Sequence, residues 1–340
     1  MMSSNARRIA LKATIAACIG ASTFFMTIPS AIAAPIVKLR LASALPADAN
    51  SSFYVWYEQF QSNLKASLKD GVEISYFGNG MLGKESDVVQ QVRLGGVDMM
   101  ISGTSIWATL VPELGVLDLG YLFKNYDHVG RALDGKAGET LSGMLLKKAN
   151  TRILGYGYSF GARNVYSKKP IKTAADLQGM KIRVLPNQNF VATFKAMGAS
   201  PAPMAFGEVY SGLQMGVIDG LEQDAANVLD AKFYEVAKYG ALTQHVFAPL
   251  VMTINNNSFE RLPAEYKAAF LKAAADATTY ERKRALEAES KAFDELKKHG
   301  MTINDIDREP LRKAVMPLWT TFTKQYPDTK AIVDGVEATR

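Results

Sequence analysis

Asp176-Leu177-Gln178-Gly179-Met180-Lys181-Ile182-Arg183-Val184-Leu185-Pro186-Asn187 is the stretch from which the rest of the chain can be read. Residues 181–184 read as a short strand that leads into a helix over 187–197. Strand alternation puts Arg183 on the face opposite Ile182 and Val184. An arginine placed in this way is expected to be partly buried, and a desolvated guanidinium requires an anion. Two partners meet that requirement equally well. One is a ligand carboxylate, which a guanidinium matches as a bidentate fork, and the other is an Asp or Glu of the same chain.

The same strand-and-helix rhythm extends in both directions. Toward the N-terminus, strands are expected at 36–42, 72–77, 97–102, 152–158 and 164–167. Helices are expected there at 51–68, 85–94, 126–133 and 138–149. Toward the C-terminus, the pattern predicts a helix at 206–215 and strands at 217–222, 241–247 and 250–255. Pro249 interrupts the last two, as suits a crossing segment better than a central sheet position. Such alternation is that of an α/β protein. Pro263 opens a run with no further Pro or Gly until Gly300. As one helix it would be about 55 Å long, more than one domain needs. Two shorter helices with a bend near 276–279 are the alternative. A short strand at 301–304 and a helix at 310–325 follow.

The bulk properties bound the function. A chain of 340 residues that is 48% hydrophobic is large enough for two cores. The net charge of +6 includes Arg7, Arg8 and Lys12, which lie in a segment without acids. Without residues 1–33 the balance is 36 basic to 33 acidic, or +3, and the basic residues are dispersed, which argues against a nucleic-acid partner. Residues 1–33 read as a secretion signal: a basic start, an apolar run from Ala13 to Ile28, and Ala31-Ile32-Ala33 for the peptidase. Cleavage is expected near Ala33, giving a periplasmic protein. Arg7-Arg8 leaves the general and twin-arginine routes both open. The only cysteine, Cys18, follows Ile15-Ala16-Ala17, so acylation of Cys18 is a second reading of this segment. Cleavage after Ala33 leaves no cysteine, and therefore neither thiol catalysis nor thiolate metal sites.

Enzyme motifs are sparse. His128, His245 and His299 lie far apart and outside any metal-ligand spacing, and no cofactor is implied. His245 reads as structural, and His299 sits where it can interact with the C-terminal dipole of the long helix. The chain has neither a Gly-x-Ser-x-Gly elbow nor a phosphate-binding glycine loop. Glu222 or Asp224 acting as a base in a hydrolase or lyase is the one catalytic reading left.

Several runs match one family. They are Gly161-Ala162-Arg163, Asp176-Leu177-Gln178-Gly179-Met180-Lys181-Ile182-Arg183-Val184, Gly198-Ala199-Ser200-Pro201 and Pro203-Met204-Ala205-Phe206-x-Glu208-Val209-Tyr210. They continue through Gly216-x-Ile218-Asp219-Gly220-x-Glu222 and Lys232-Phe233-Tyr234-Glu235-Val236. Leu82-Gly83, Gln90-Gln91-Val92 and Gly95-Gly96-Val97-Asp98 agree in the first half. Together they closely resemble the substrate-binding subunits of tripartite ATP-independent periplasmic (TRAP) transporters.

That resemblance implies an α/β, two-lobed solute-binding protein with a hinge and a long helix spanning both lobes. Lobe I is expected from 34–160 plus 249–288, and lobe II from 161–248 plus 289–340. The implied function is capture of a small organic carboxylate and its delivery to membrane permease subunits, by a monomer that is not an enzyme. A periplasmic sensor for a membrane receptor is the alternative of a different class. The resemblance assigns Arg183 to the ligand carboxylate, Arg163 to a second cationic contact, Asn187 to a polar contact and Phe206 to an aromatic wall. Trp107 and Glu85 fall near cleft-lining positions of the opposite lobe, where ordinary packing is an equal alternative. The family commonly has Glu-Asn-Pro where this chain has Glu222-Gln223-Asp224. Gln223 is thus expected to take the place of the ligand-contacting asparagine. An Asp224 facing the cleft would accept a hydrogen bond from a small hydroxy acid. Gly103 and Ala44 stand where the sialic-acid-binding branch carries glutamate and asparagine, so a bulky amino-sugar acid is not expected.

Overall fold

A computed structural model describes residues 36–340. The expected signal segment, with Cys18, lies outside the described residues. The strands are β1 (Val37–Ala42), β2 (Val72–Phe77), β3 (Met99–Gly103), β4 (Thr151–Tyr158), β5 (Arg163–Ser167) and β6 (Lys181–Val184). They continue with β7 (Ser200–Pro203), β8 (Gly220–Gln223), β9 (Tyr239–Val246), β10 (Pro249–Asn255) and β11 (Thr302–Asp305). They form two sheets, ordered β2-β1-β3-β10-β4 and β11-β9-β5-β8-β6-β7. In each sheet, parallel strands supplied by strand-helix units meet antiparallel strands. The fold is therefore two α/β lobes.

The chain passes between the sheets twice in this region, from β4 to β5 and from β9 to β10. The two passages run side by side. Pro249 pairs with Tyr158, Val246 pairs with Arg163, and the Ser159 amide donates to the Ala248 carbonyl at 3.3 Å. Pro249 stands at the first position of β10, where a missing N–H disturbs the ladder least.

The long helix is continuous over Ala264–Lys298, without a break near 276–279. Its 35 residues make it about 52 Å long. Phe270, Ala273, Ala274 and Ala277 pack on the first lobe, where Phe270 meets Phe60 edge-on at 5.4 Å. Ala285, Ala292 and Leu296 join a second core that includes Val165, Ile182 and Leu221 of the second sheet. At its far end His299 stacks on Tyr234, with ring centroids 4.2 Å apart. Close approach to β4 depends on two glycines. A Cβ at Gly155 would lie 2.3 Å from Thr278 Oγ1, and one at Gly157 would lie 2.6 Å from Glu281 Oε2. No helix among the described residues is long and apolar enough to cross a membrane.

The C-terminal region differs from the sequence expectation. The helix foreseen over 310–325 is two, Glu309–Val315 and Pro317–Gln325. Pro317 lacks an N–H and so begins a helix more readily than it continues one. A further helix, Lys330–Ala338, was not foreseen. The Val336 carbonyl lies 2.8 Å from His128 Nε2, and Arg131 Nε donates to the Thr339 carbonyl at 3.0 Å. These contacts place the last helix on helices Tyr126–Leu133 and Lys136–Ala149, which lead into β4.

Glu281 is fully buried midway along the long helix, where Oε2 accepts the Tyr158 N–H at 2.9 Å and Oε1 has no partner. Burial raises its pKa well above 4.5, against that hydrogen bond and Arg282. The folded state thus holds this proton more tightly than the unfolded chain. The associated stability is complete below the unfolded value and is lost as pH rises toward the folded one. We predict that wild type loses about 1.4 kcal/mol per pH unit relative to Glu281→Gln across that interval. Urea unfolding of both proteins from pH 5 to 9 checks this, and parallel profiles would refute it.

Candidate functional site

The two sheets present a cleft whose outer part is a cavity of about 340 Å3. Lys84, Glu85 and Ile106 border it from the first lobe, and Arg183, Phe206 and Glu208 from the second. A smaller recess of about 50 Å3 adjoins it, bordered by Ser159, Arg163, Gln223 and Asn227 with the apolar Phe53 and Leu250. Ala44, Glu85, Ile106 and Phe206 border both spaces.

Arg183 lies on β6 between β7 and β8, opposite Ala202 and Leu221, and is fully buried. Nε and Nη2 both donate to the Met204 carbonyl, at 2.9 and 2.7 Å, while Nη1 is buried without a partner. Among the described residues no acid forms an ion pair with it. Burial, with Arg163 nearby, lowers its pKa to about 10, while Glu222, Glu85 and Glu208 oppose the shift. The guanidinium remains charged at neutral pH, so the site holds a desolvated cation that the protein has not neutralised.

The internal ion pair left open by the sequence does exist, but it belongs to Arg163. Arg163 Nε donates to Glu222 Oε2 at 2.5 Å, and Nη2 donates to Oε1 at 2.8 Å and to the Glu222 carbonyl at 3.1 Å. Adjacent strands β5 and β8 bring the two together. His245 Nε2 lies 3.4 Å from Glu222 Oε2, and Thr243 Oγ1 is 2.8 Å from its Nδ1. Burial opposes ionisation of Glu222, but Arg163 and His245 outweigh it and hold the carboxyl down at about 2. Burial also lowers the pKa of His245, so its imidazole is neutral. Fully buried and firmly ionised, Glu222 is a poor general base at neutral pH.

The remaining expected residues divide. Phe206 borders both spaces of the cleft and meets Phe233 edge-on at 5.5 Å. Gln223 borders the recess, where its Oε1 accepts the Asp224 N–H at 3.0 Å. Glu85 opens the helix Glu85–Leu94, and burial raises its pKa to about 7 against the pull of Arg183 and then Arg163.

Asn187 is placed differently from expectation, Asp224 does not take the cleft-facing position considered for it, and Trp107 takes its packing alternative. Asn187 caps the helix Gln188–Ala196 through the Asn189 N–H. Its Nδ2 donates to the Ser105 carbonyl at 2.8 Å and to Asp118 Oδ2 at 2.9 Å, so its amide ties the segment after β3 to the second lobe. Asp224 is also a helix cap. Oδ1 accepts the Asn227 N–H at 2.9 Å, and Oδ2 accepts Ser159 Oγ at 2.6 Å and Asn227 Nδ2 at 2.7 Å. Capping satisfies an otherwise orphaned helix N–H and commits the carboxylate to the protein. Trp107 is fully buried in the core and donates from Nε1 to Ser102 Oγ at 3.1 Å, and it borders neither space of the cleft.

Ser159, Asn227 and the rim residues Lys84 and Glu208 were not singled out from sequence. The Asp224-x-x-Asn227 spacing at a helix start was the available signal for Asn227. Ser159 carries no motif and is placed by the crossing from β4 to β5. No group of three metal-ligating side chains occurs among the described residues.

Comparison with known proteins identifies the family and the fold. The family model DctP, "Bacterial extracellular solute-binding protein, family 7", matches residues 45–325. The 2,3-diketo-L-gulonate-binding periplasmic protein YiaO of Escherichia coli K12 is 35% identical over 289 residues, covering 84% of this chain and 88% of YiaO. A TRAP periplasmic solute-binding protein from Chromohalobacter salexigens with bound D-glucuronate superposes with a TM-score of 0.85 at 29% identity. That match covers 89% of this chain and 100% of the other. The sugar acid binding protein DctPAm of Advenella mimigardefordensis, in complex with galactonate, gives a TM-score of 0.85 at 27% identity, covering 90% and 100%.

The buried ion pair generates a test of its own. Removing the charge with Glu222→Gln leaves Arg163 buried and unpaired, and is expected to lower stability by about 3–5 kcal/mol in urea unfolding at pH 7. Because its folded pKa is depressed, the contribution of Glu222 is present above about pH 4.5 and lost as pH falls toward 2. The variant therefore shows a shallower acid limb than wild type. An unchanged acid limb would mean that Glu222 is not the titrating group.

Proposed function

This chain belongs to family 7 of the bacterial extracellular solute-binding proteins, the DctP family of TRAP solute-binding proteins, and from that premise we propose that it captures a small sugar acid or related hydroxy carboxylate between its lobes. The captured ligand is then delivered to TRAP permease subunits in the membrane. The single observation that carries the carboxylate is the fully buried Arg183, whose Nη1 has no partner. A ligand carboxylate supplies the anion that the fold withholds, in the planar geometry a guanidinium favours.

In this reading Arg183 grips the carboxylate and Arg163, fixed by Glu222, adds positive potential at the recess. Gln223 and Asn227 offer polar contacts, Phe206 walls the cleft, and Glu85 faces ligand hydroxyls from the first lobe. Asn187, Asp224 and Trp107 act behind the surface, holding helices and loops in place. Ala44 and Gly103 border the recess without polar side chains of their own. The lobes hinge about the two passages beside Pro249 and Ser159, and ligand binding favours the closed form. Among the described residues, lobe I takes 36–160 and 249–288, together with the last helix, and lobe II takes 161–248 and the region from 289 to that helix.

Periplasmic residence after removal of residues 1–33 fits this role, as does a monomer. Transport is favoured over sensing by similar structures of TRAP proteins holding sugar acids. A hydrolase or lyase reading loses its two candidate bases. Glu222 is locked in an ion pair, and Asp224 has its oxygens engaged as a cap.

A thermal-shift screen of D-glucuronate, D-galacturonate, D-galactonate and D-erythronate identifies the ligand class, because binding raises the melting temperature. Arg183→Ala is expected to weaken the tightest of these by about 2–5 kcal/mol, or roughly 30-fold or more, in calorimetric titration. Arg183→Lys is expected not to restore it, since one ammonium cannot form the fork. The ligand should be recovered chemically unchanged. Affinity of Arg183→Ala within threefold of wild type would remove the assignment.

A further inference from the structure

One ion pair spans the mouth of the cleft. Lys84 Nζ donates to Glu208 Oε1 at 2.7 Å, across 124 positions of sequence. Lys84 precedes the helix Glu85–Leu94, which packs on β3 and β10 of the first sheet. Glu208 ends the short turn Phe206–Glu208 that follows β7 of the second sheet. Both residues border the outer cavity beside Arg183 and Glu85.

We propose that Lys84 and Glu208 form a latch between the lobes, whose function is to prolong closure over a bound ligand. This rests on the reading of the cleft as the ligand site. Neither residue needs to touch the ligand, so both are positioning residues that act through lobe closure. Three features support this role. The pair joins segments that move apart when the cleft opens, so its energy belongs to the closed state alone. The Glu208 carboxylate is already fixed, because Oε2 accepts the Ala205 N–H at 3.1 Å, leaving Oε1 directed to Lys84. Less side-chain freedom is therefore lost when the pair forms. Both side chains are about half exposed, at 58% and 50%, so the contact is weak and sensitive to salt. A weak contact suits a latch that must release its cargo at the membrane.

The test is a double-mutant cycle on the full chain, with Lys84→Gln, Glu208→Gln and both together. The Glu208→Gln side chain retains an acceptor for the Ala205 N–H. With D-glucuronate as probe, stopped-flow fluorescence is expected to show koff raised about two- to fivefold in each single variant and kon unchanged. The double variant is expected to be no worse than either single one, because both remove the same contact. At 1 M salt all four proteins should release the probe alike. Unchanged koff, or effects that multiply in the double variant, would overturn the latch.

A second measurement separates failure of the latch from failure of the ligand reading. Electron-spin distances between labels at Glu58→Cys and Lys195→Cys, in a Cys18→Ser background without ligand, report the lobe separation. Both label sites are exposed. The ratio of closed to open protein is expected to fall about two- to fivefold in each variant. If wild type binds no D-glucuronate, these distances alone decide the latch: a lower closed fraction supports it, and identical distributions refute it.

Discussion

Two arginines are buried on the second sheet, and one glutamate lies between the strands that carry them. The fold gives that glutamate to Arg163. Strand pairing of β5 with β8 brings Arg163 and Glu222 together with two charge-assisted hydrogen bonds, and His245 stands on the other side of the carboxylate. Arg183, on the far side of β8, receives only a backbone carbonyl. This unequal division creates the site. One cation is neutralised and becomes part of the frame, and the other is desolvated, charged and available. A buried charge without a counterion costs several kcal/mol, a cost that a carboxylate would relieve in the proposed reading. Without Glu222, two unpaired guanidinium groups on either side of β8 would repel each other.

The frame holds this charge in place through elements that belong to both lobes. The passages from β4 to β5 and from β9 to β10 lie against each other, so the chain crosses as a paired ribbon rather than two free linkers. Asp224 strengthens that region by capping its helix while accepting Ser159 Oγ from the passage itself. The long helix then spans the molecule, anchored by Phe270 at one end and by the stack of His299 on Tyr234 at the other. Gly155 and Gly157 let it lie directly on β4, and the result is that Glu281 is sealed from water. Rigid lobes joined by a short ribbon and one helix move mainly as bodies.

Where the sequence was legible, a local rule was enough. Alternation around Arg183 predicted a buried arginine in a strand, and the absence of Pro and Gly between Pro263 and Gly300 predicted the long helix. Pro249 marked the crossing for the same reason. Where the sequence was silent, the outcome depended on register or on neighbours distant in sequence. Arg163 and Glu222 are 59 positions apart, and only the pairing of β5 with β8 shows that they meet. Trp107 reads equally as wall or core until the short helix Thr104–Trp107 sets its direction. The helix Lys330–Ala338 was missed because its partners, His128 and Arg131, lie about 208 positions away.

Asp224 shows how a departure from a family pattern can serve the frame instead of the ligand. An acid where relatives carry proline invites a role in recognition, because a free carboxylate in a cleft would read ligand hydroxyls. Here the backbone decides otherwise. The residue after β8 must begin a helix, and an aspartate at that position finds an unpaired N–H three residues ahead. Once Asn227 and Ser159 are added, its acceptors face protein rather than the recess. In the proposed reading, discrimination among acids falls to groups whose polar atoms remain uncommitted, above all Gln223 Nε2 and the Glu85 carboxyl. Those two lie on opposite lobes. On that proposal selectivity develops as the lobes close, since neither residue alone surrounds a ligand, and recognition and retention become the same event.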